Sequence, residues 1–251
     1  MTNEDALQKA IDLLAPFVGS AWERNSNLKH LHTLTRHLPK NSSVFDAGCG
    51  LGVLALALSF LDYRVEGGDK YVFTDKNSFT VKDLEKLRSI WKQNGLNILD
   101  FDILKDELPK KYDAVVSIAT IEHQQHPRFF LEKLKNMIKD GGWLYIATPN
   151  PNHLLNRLRF FLGRPASNNI EEFFYEDNFV GHWREYTIQE LKNLFEWSGF
   201  EIVYGKNRQE LKPDFFSKGF RGFYISLFRV LAKIWPGTGD ANVILARKKA
   251  S

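Results

Sequence analysis

Cysteine is nearly absent from the chain: Cys49 stands alone among 251 residues. An internal disulfide is therefore excluded, and the fold does not depend on an oxidising compartment. The N-terminal stretch MTNEDALQKAIDLLAPF has no basic region and carries early acids, which argues against a signal peptide. No stretch reaches the roughly 18 uninterrupted apolar residues of a membrane span. Internal repeats and low-complexity segments are missing too. These absences make a cytoplasmic protein the expectation and leave its oligomeric state open.

Hydrophobic residues make up 43% of the chain and charged residues 25%, a balance that excludes wholesale disorder. The length suits one large α/β domain. Charge is uneven. Residues 202–251 hold ten Lys/Arg against three acids (Glu210, Asp214, Asp240), whereas the remainder holds 24 bases and 27 acids. The basic character belongs to the tail.

Helical periodicity marks residues 4–18 and about 26–38, where Leu28, Leu31, Leu34 and Leu38 share a face. Strand and helix then alternate from residue 43 to 149. SSVFDAG, YRVEGGD, LNILDFD, YDAVVSIA and WLYIATP read as strands. LGVLALALSFL, VKDLEKLRSIWKQNG and PRFFLEKLKNMIKDGG read as helices, the last two with glycine stops. Such alternation predicts a parallel sheet covered by helices on both faces. Residues 150–186 are aromatic and irregular with no obvious strand. TIQELKNLFEWSGF is a helix, EIVYG and ANVILARKK are strands, and this last pair suits an antiparallel edge.

Asp46-Ala47-Gly48-Cys49-Gly50-Leu51-Gly52 lies between the first strand and its helix, where glycines let backbone approach a ligand. Asp69 ends the second strand, placed to accept from ribose hydroxyls. The ligand is thus a nucleoside, but not a dinucleotide: Val53 occupies the third glycine position, and Asp46 would repel a pyrophosphate. The same carboxylate suits a cationic ligand.

VFDAGCGLG resembles the first motif of the class I S-adenosylmethionine-dependent methyltransferases. The resemblance continues through GGD (67–69), LDFDIL, YDAVVSIATIEH, DGGWLYIATPNP and HWREYTIQELKNLFEWSGFEI, roughly residues 40–205. It is similar to the branch that includes ubiquinone-biosynthesis and sugar or polysaccharide methyltransferases.

The family implies an α/β, Rossmann-like, mostly parallel seven-stranded sheet with helices on both faces and an antiparallel edge hairpin. The expected organisation is an N-terminal helical cap (1–40), a cofactor-binding core (41–149), an active-site cover (150–186) and a C-terminal part of the core (187–251) with a basic aromatic insertion (207–236). The implied cofactor is S-adenosylmethionine, with S-adenosylhomocysteine as product. The backbone of Gly48, Cys49 and Gly50 would lie against the methionine part, and Asp46 would hold the ammonium. Asp69 would take the ribose hydroxyls, with Lys70 at the adenine edge. Asp102 and Ile103 would face the adenine amino group, Asp100 being a rival. The ends of Ser117, Ile118 and Ala119 would lie near the transferring methyl. Cys49 is a small residue beside the cofactor rather than a nucleophile, since no base adjoins it. Asp113 simply begins a strand.

A hydroxyl acceptor must lose a proton. His123 is the first candidate base and His182 the second, with His126 and Tyr186 behind them. His123 has an alternative role in capping or backbone bonding. Some ubiquinone-pathway relatives hold a divalent metal around a Glu-His pair. Here Glu122 and His123 are present, but Ala119 stands where those relatives place an acid, so no metal is assigned.

Nucleic acid is disfavoured as acceptor, because Ser117-Ile118-Ala119-Thr120 replaces the Asn/Asp-Pro-Pro-aromatic motif expected after the fourth strand. A small or glycan-type acceptor, nucleotide-linked or lipid-linked, leads, and a quinone or other lipid is the rival. A catalytically silent cofactor-binding subunit is the reading from another class. Aromatic residues such as Phe160, Phe161, Phe173, Phe215, Phe216 and Trp235 interleave with Arg157, Arg159, Arg164, Lys212 and Arg221. They suit a packed subdomain with a basic rim, or peripheral contact with an anionic membrane surface.

Overall fold

The computed structural model describes the whole chain except residues 19–20, 72–79, 166–169, 176–178, 180, 211–234 and 250–251. The alternation read from the sequence becomes β1 (Ser43–Ala47), α3 (Val53–Ser59), β2 (Arg64–Asp69), α4 (Val81–Gln93), β3 (Asn97–Asp100), β4 (Tyr112–Ile118), α5 (Pro127–Asn136) and β5 (Ile138–Pro149). Two helices precede this run, α1 (Asn3–Leu13) and α2 (Ala21–His37). After it come α6 (Leu154–Phe161), α7 (Ile170–Tyr175), α8 (Ile188–Trp197), β6 (Phe200–Arg208) and β7 (Ala241–Lys248).

The seven strands pair in the order β3-β2-β1-β4-β5-β7-β6. β1 to β5 run parallel, and β7 is antiparallel to both its neighbours. Period-two alternation decides which face each strand residue feeds. Val44 packs with Leu34, Leu56 and Trp91 on the face covered by α1–α4, while its neighbour Phe45 packs with Phe130, Leu134 and Phe195 under α5 and α8. The chain builds outward from β1 through β2 and β3, then returns to lay β4 on the other side. That reversal opens a crevice at the carboxyl ends of β1 and β4, where open α/β sheets bind ligands.

Several local expectations change. α2 begins at Ala21 rather than near residue 26. α5 ends at Asn136, and the Gly141-Gly142 pair read as its stop lies inside β5 instead. Gly142 is there for close approach: a Cβ would stand 2.8 Å from Asp113 O. The cover region contains two short helices, α6 and α7. β7 inserts between β5 and β6, so β6 forms the edge.

Two polar staples brace the carboxyl edge. Asn150 Nδ2 donates to Gly237 O (2.9 Å) and Gly239 O (2.6 Å), and Arg157 Nη2 donates to Pro236 O (3.1 Å), tying α6 to the chain that enters β7. On the other side α2 grips the end of β6. His30 Nδ1 meets Tyr145 Oη at 2.7 Å and Arg208 Nη2 at 2.8 Å, and Ser26 Oγ donates to Glu210 Oε2 at 2.6 Å.

Candidate active site

The glycine turn starts where β1 runs out. Gly48 N and Cys49 N both donate to Gly68 O at the end of β2 (2.8 and 3.3 Å), so the turn folds over the second strand. Gly48 adopts φ +81°, and a Cβ there would lie 2.5 Å from Thr120 Oγ1. A side chain would thus be strained and would collide with the turn after β4. That turn is itself bent: Ala119 has φ +51°, rare outside glycine.

Between these turns lies a cavity of about 560 Å³ lined by Gly48, Asp69, Lys70, Phe101, Asp102, Ile103, Leu104, Lys105, Ala119, Thr120, His123 and Gln124. Gly48, Asp69, Lys70, Asp102, Ile103, Ala119 and His123 were expected from the sequence. Phe101, Leu104, Lys105, Thr120 and Gln124 were missed, although each lies within two residues of an expected one. Asp46, near the end of β1, and Cys49 and Gly50, in the turn, are not part of the lining. Ser117 is buried within β4 and donates its hydroxyl to Ala47 O (2.8 Å), which joins strands rather than facing the cavity. Asp102, not Asp100, lines the cavity. A larger groove of about 630 Å³ lies at the opposite, amino edge, among Arg64, Glu66, Lys110 and Lys139. There Lys110 pairs with Glu66 and Lys139 with Asp113.

Asp46 is 3% exposed. Burial, aided by the nearby charge of Asp69, pushes its carboxyl up to about 7. Burial raises Asp69 as well, although Gly50 N donates to its Oδ2 at 2.7 Å. Two carboxylates thus crowd one poorly hydrated place, an arrangement that a bound cation would relieve. Asp102 behaves otherwise: burial works against its charge, but Lys70 Nζ at 3.2 Å keeps its carboxyl below the usual range. Burial raises the Cys49 thiol well above its normal value, leaving it protonated and unreactive.

The candidate bases separate clearly. The one-turn 3-10 helix Ile121–His123 follows β4 and carries His123 to the cavity wall. His123 Nδ1 lies 3.1 Å from Gly181 O, and Trp183 N donates to Glu122 O at 2.8 Å. Through these contacts the cover segment brings His182 beside His123, ring centroids 4.8 Å apart and edge to face. Glu185 Oε1 accepts from His182 Nδ1 at 2.9 Å, and that bond raises the imidazole against the opposing effect of burial. His126 is exposed at the start of α5. Tyr186 is buried, and burial raises its hydroxyl, so it is no base.

Glu122 is fully buried. Thr148 Oγ1 donates to its Oε2 at 2.9 Å, and Oε1 has no hydrogen-bond partner. Glu122, His123 and His182 offer ligand atoms within 4.8 Å of one another. The cover segment therefore supplies a third donor that the sequence, with Ala119 in place of an acid, did not reveal. One carboxylate and two imidazoles do not match the oxygen-rich shell of a hard divalent cation. They match a zinc-type donor set.

Crevice, glycine turn and strand-end acids together define the class: an open α/β fold with its candidate site at the carboxyl edge of the parallel strands. The sequence profile of the family described as "Methyltransferase domain" matches residues 21–204. The chain belongs to that family, and its resemblance to class I S-adenosylmethionine-dependent methyltransferases holds at the level of family and fold. The chain is 32% identical over 168 residues to the ubiquinone biosynthesis O-methyltransferase of Paraburkholderia phytofirmans. That match spans 61% of this chain and 66% of the relative, just under two thirds of its length. Among solved structures, the 1,6-didemethyltoxoflavin-N1-methyltransferase of Burkholderia thailandensis, with bound S-adenosylhomocysteine, superposes with TM-score 0.58 at 15% identity over 98% of this chain and 87% of that one. The [4+2]-cyclase SpnF superposes with TM-score 0.61 at 14% identity over 100% and 98%. At these identities both show the fold alone.

Proposed function

We propose that the chain transfers the methyl group of S-adenosylmethionine to an oxygen of a small acceptor. One observation carries the reading: the buried carboxyl of Asp46 lies behind a glycine turn whose cavity also holds a histidine. The cofactor's ammonium would meet Asp46, its ribose Asp69, and its adenine the Lys70–Asp102–Ile103 wall. The acceptor would enter from the His123 side, beneath the cover.

In the reaction the methyl–sulfur bond breaks and its electron pair stays on sulfur, giving neutral S-adenosylhomocysteine. The acceptor oxygen forms the new bond to carbon, and its proton passes to a base. His123 is that base: it lines the cavity, and its Nδ1 donates to Gly181 O, which orients the ring. His182, held by Glu185, adjoins it. Since positive charge on sulfur is lost, a water-poor cavity does not oppose the step, and alignment does much of the work. No step is routed through a metal.

Two acceptor readings remain distinct. Phe173, Phe179 and Trp183 meet edge to face with centroids 5.3–5.9 Å apart beside the histidine pair. This cluster favours a flat, apolar ring, and the curated relative's O-methylation in ubiquinone biosynthesis supports a quinone-type acceptor. The glycan-type acceptor rests on the basic aromatic tail, most of which, including Lys212, Phe215, Phe216 and Arg221, lies outside the described residues. A screen with methyl-labelled cofactor against phenolic quinone precursors, nucleotide sugars and lipid-linked sugars decides between them. Turnover with none of these, alongside tight cofactor binding, would favour the silent-subunit reading.

A peripheral membrane contact is part of this proposal. Phe160 and Phe161 on α6 are 61% and 88% exposed, and no acid occurs from Gly141 to Ile170 while Arg157, Arg159 and Arg164 do. Among the described residues no helix is long and apolar enough to cross a membrane. Co-sedimentation with anionic vesicles at low salt tests the contact, and loss of binding in Phe161→Ser would assign it to α6.

A further inference from the structure

The glycine turn is held from behind by two aromatic side chains that do not line the cavity. Tyr71 Oη donates to Gly50 O at 2.9 Å, and Trp91 Nε1 donates to Leu51 O at 3.1 Å. The rings stand 6.1 Å apart and are tilted by 33°. Trp91 is 2% exposed and packs with Leu84 and Leu87 of α4 in the apolar core, so its indole N–H is a fixed donor. Burial raises the Tyr71 hydroxyl, which keeps it protonated and able to donate. Space is tight at the same place: a Cβ on Gly52 would stand 3.0 Å from Trp91 Nε1. On the other side of the turn, Gly50 N donates to Asp69. Two consecutive carbonyls are therefore committed away from the ligand side, and the peptide between them has one orientation rather than several.

We propose that Tyr71 and Trp91 are positioning residues of the cofactor site, fixing the Gly50 and Leu51 peptides so that the turn is ready to receive the amino-acid part of the cofactor. This rests on the methyltransferase reading above. Neither side chain is part of the cavity lining. They act by removing alternative backbone orientations that would otherwise be lost on binding, the general route by which preorganisation gives affinity. Because the turn faces the amino-acid end while Asp69, Lys70 and Asp102 hold the nucleoside, the effect is confined to one end of the ligand.

The test uses the full chain and two ligands measured by calorimetry: S-adenosylhomocysteine, and 5′-methylthioadenosine, which has the nucleoside and sulfur but no amino-acid part. Tyr71→Phe and Trp91→Phe each weaken S-adenosylhomocysteine by about fivefold, the size of one net hydrogen bond, and leave methylthioadenosine affinity unchanged. KM for S-adenosylmethionine rises in parallel, with kcat at saturation within about twofold. Tyr71→Phe keeps the ring and carries the test even if Trp91→Phe lowers the melting temperature. Equal weakening of both ligands, or unchanged S-adenosylhomocysteine binding, overturns the assignment. Failure of the unmutated chain to bind either ligand overturns the cofactor reading itself, and the assignment with it.

Discussion

The imidazoles of His123 and His182 stand edge to face with centroids 4.8 Å apart, one from the turn after β4 and the other from the segment that leads into α8. Their backbones are joined as well, since Trp183 N and Arg184 N both donate to Glu122 O. The histidine pair is thus assembled across the cover, and movement of the cover would separate it.

Replacing His123 by Ala should lower kcat by about 10²–10⁴-fold, the usual range for a general base, with S-adenosylhomocysteine affinity unchanged. His182→Ala should cost less, because His182 is not part of the cavity lining. Steady-state kinetics with the best acceptor, paired with calorimetry, measures both. Unchanged kcat in both variants would leave alignment as the whole mechanism.

Cofactor binding should weaken as pH falls below about 7. In the free protein Asp46 titrates near 7, raised first by burial and then by Asp69, and only its ionised form attracts an ammonium. Calorimetry at pH 6.5 in buffers of different ionisation enthalpy should show proton release on binding, and Asp46→Asn should abolish that release. The sign for folding is the reverse. A carboxyl raised above its unfolded value of about 3.9 binds its proton longer in the folded chain, so it lowers stability as pH rises from about 4 to about 7. Without ligand, Asp46→Asn should therefore gain melting temperature at pH 8 and little at pH 4.

Glu210 carries the opposite dependence. Burial works to raise its carboxyl, yet His30, Arg208 and Ser26 together hold it down to about 2. Its contribution is present above the unfolded value of about 4.3 and is lost as pH falls towards 2. Glu210→Ala leaves Arg208 buried against the neutral His30 and should destabilise the fold by about 3–5 kcal/mol. Urea unfolding at pH 7 reads this directly.

Added magnesium or calcium should not raise turnover, because the donor set of Glu122, His123 and His182 lacks the oxygens that a hard divalent cation requires. Activity lost on chelation and restored by zinc, but not by magnesium, would reassign His123 from base to ligand.

The core of the fold and most of the residues that gather at its carboxyl edge were legible in the sequence for a physical reason. Each β–turn–α step is local. The Asp46-to-Gly52 turn, the acid at the end of β2 and the Asp102–Ile103 pair all sit at strand ends, and a strand end can be located by counting along an apolar run. What lay beyond such counting was every relationship between segments distant in the chain. The Gly141-Gly142 pair looks like a helix stop until β4 is laid beside β5 and Asp113 O leaves no room for a side chain. His182 is one of several histidines until the 121–123 turn captures the backbone on either side of it. Tyr71 and Trp91 read as ordinary aromatics until their donors are seen to reach consecutive carbonyls of the glycine turn. Local patterning determined the strands, the glycine turn and the acids at the strand ends. Only tertiary packing, which joins residues remote in sequence through directional hydrogen bonds and close van der Waals contact, decided which histidines meet and what holds the turn in place.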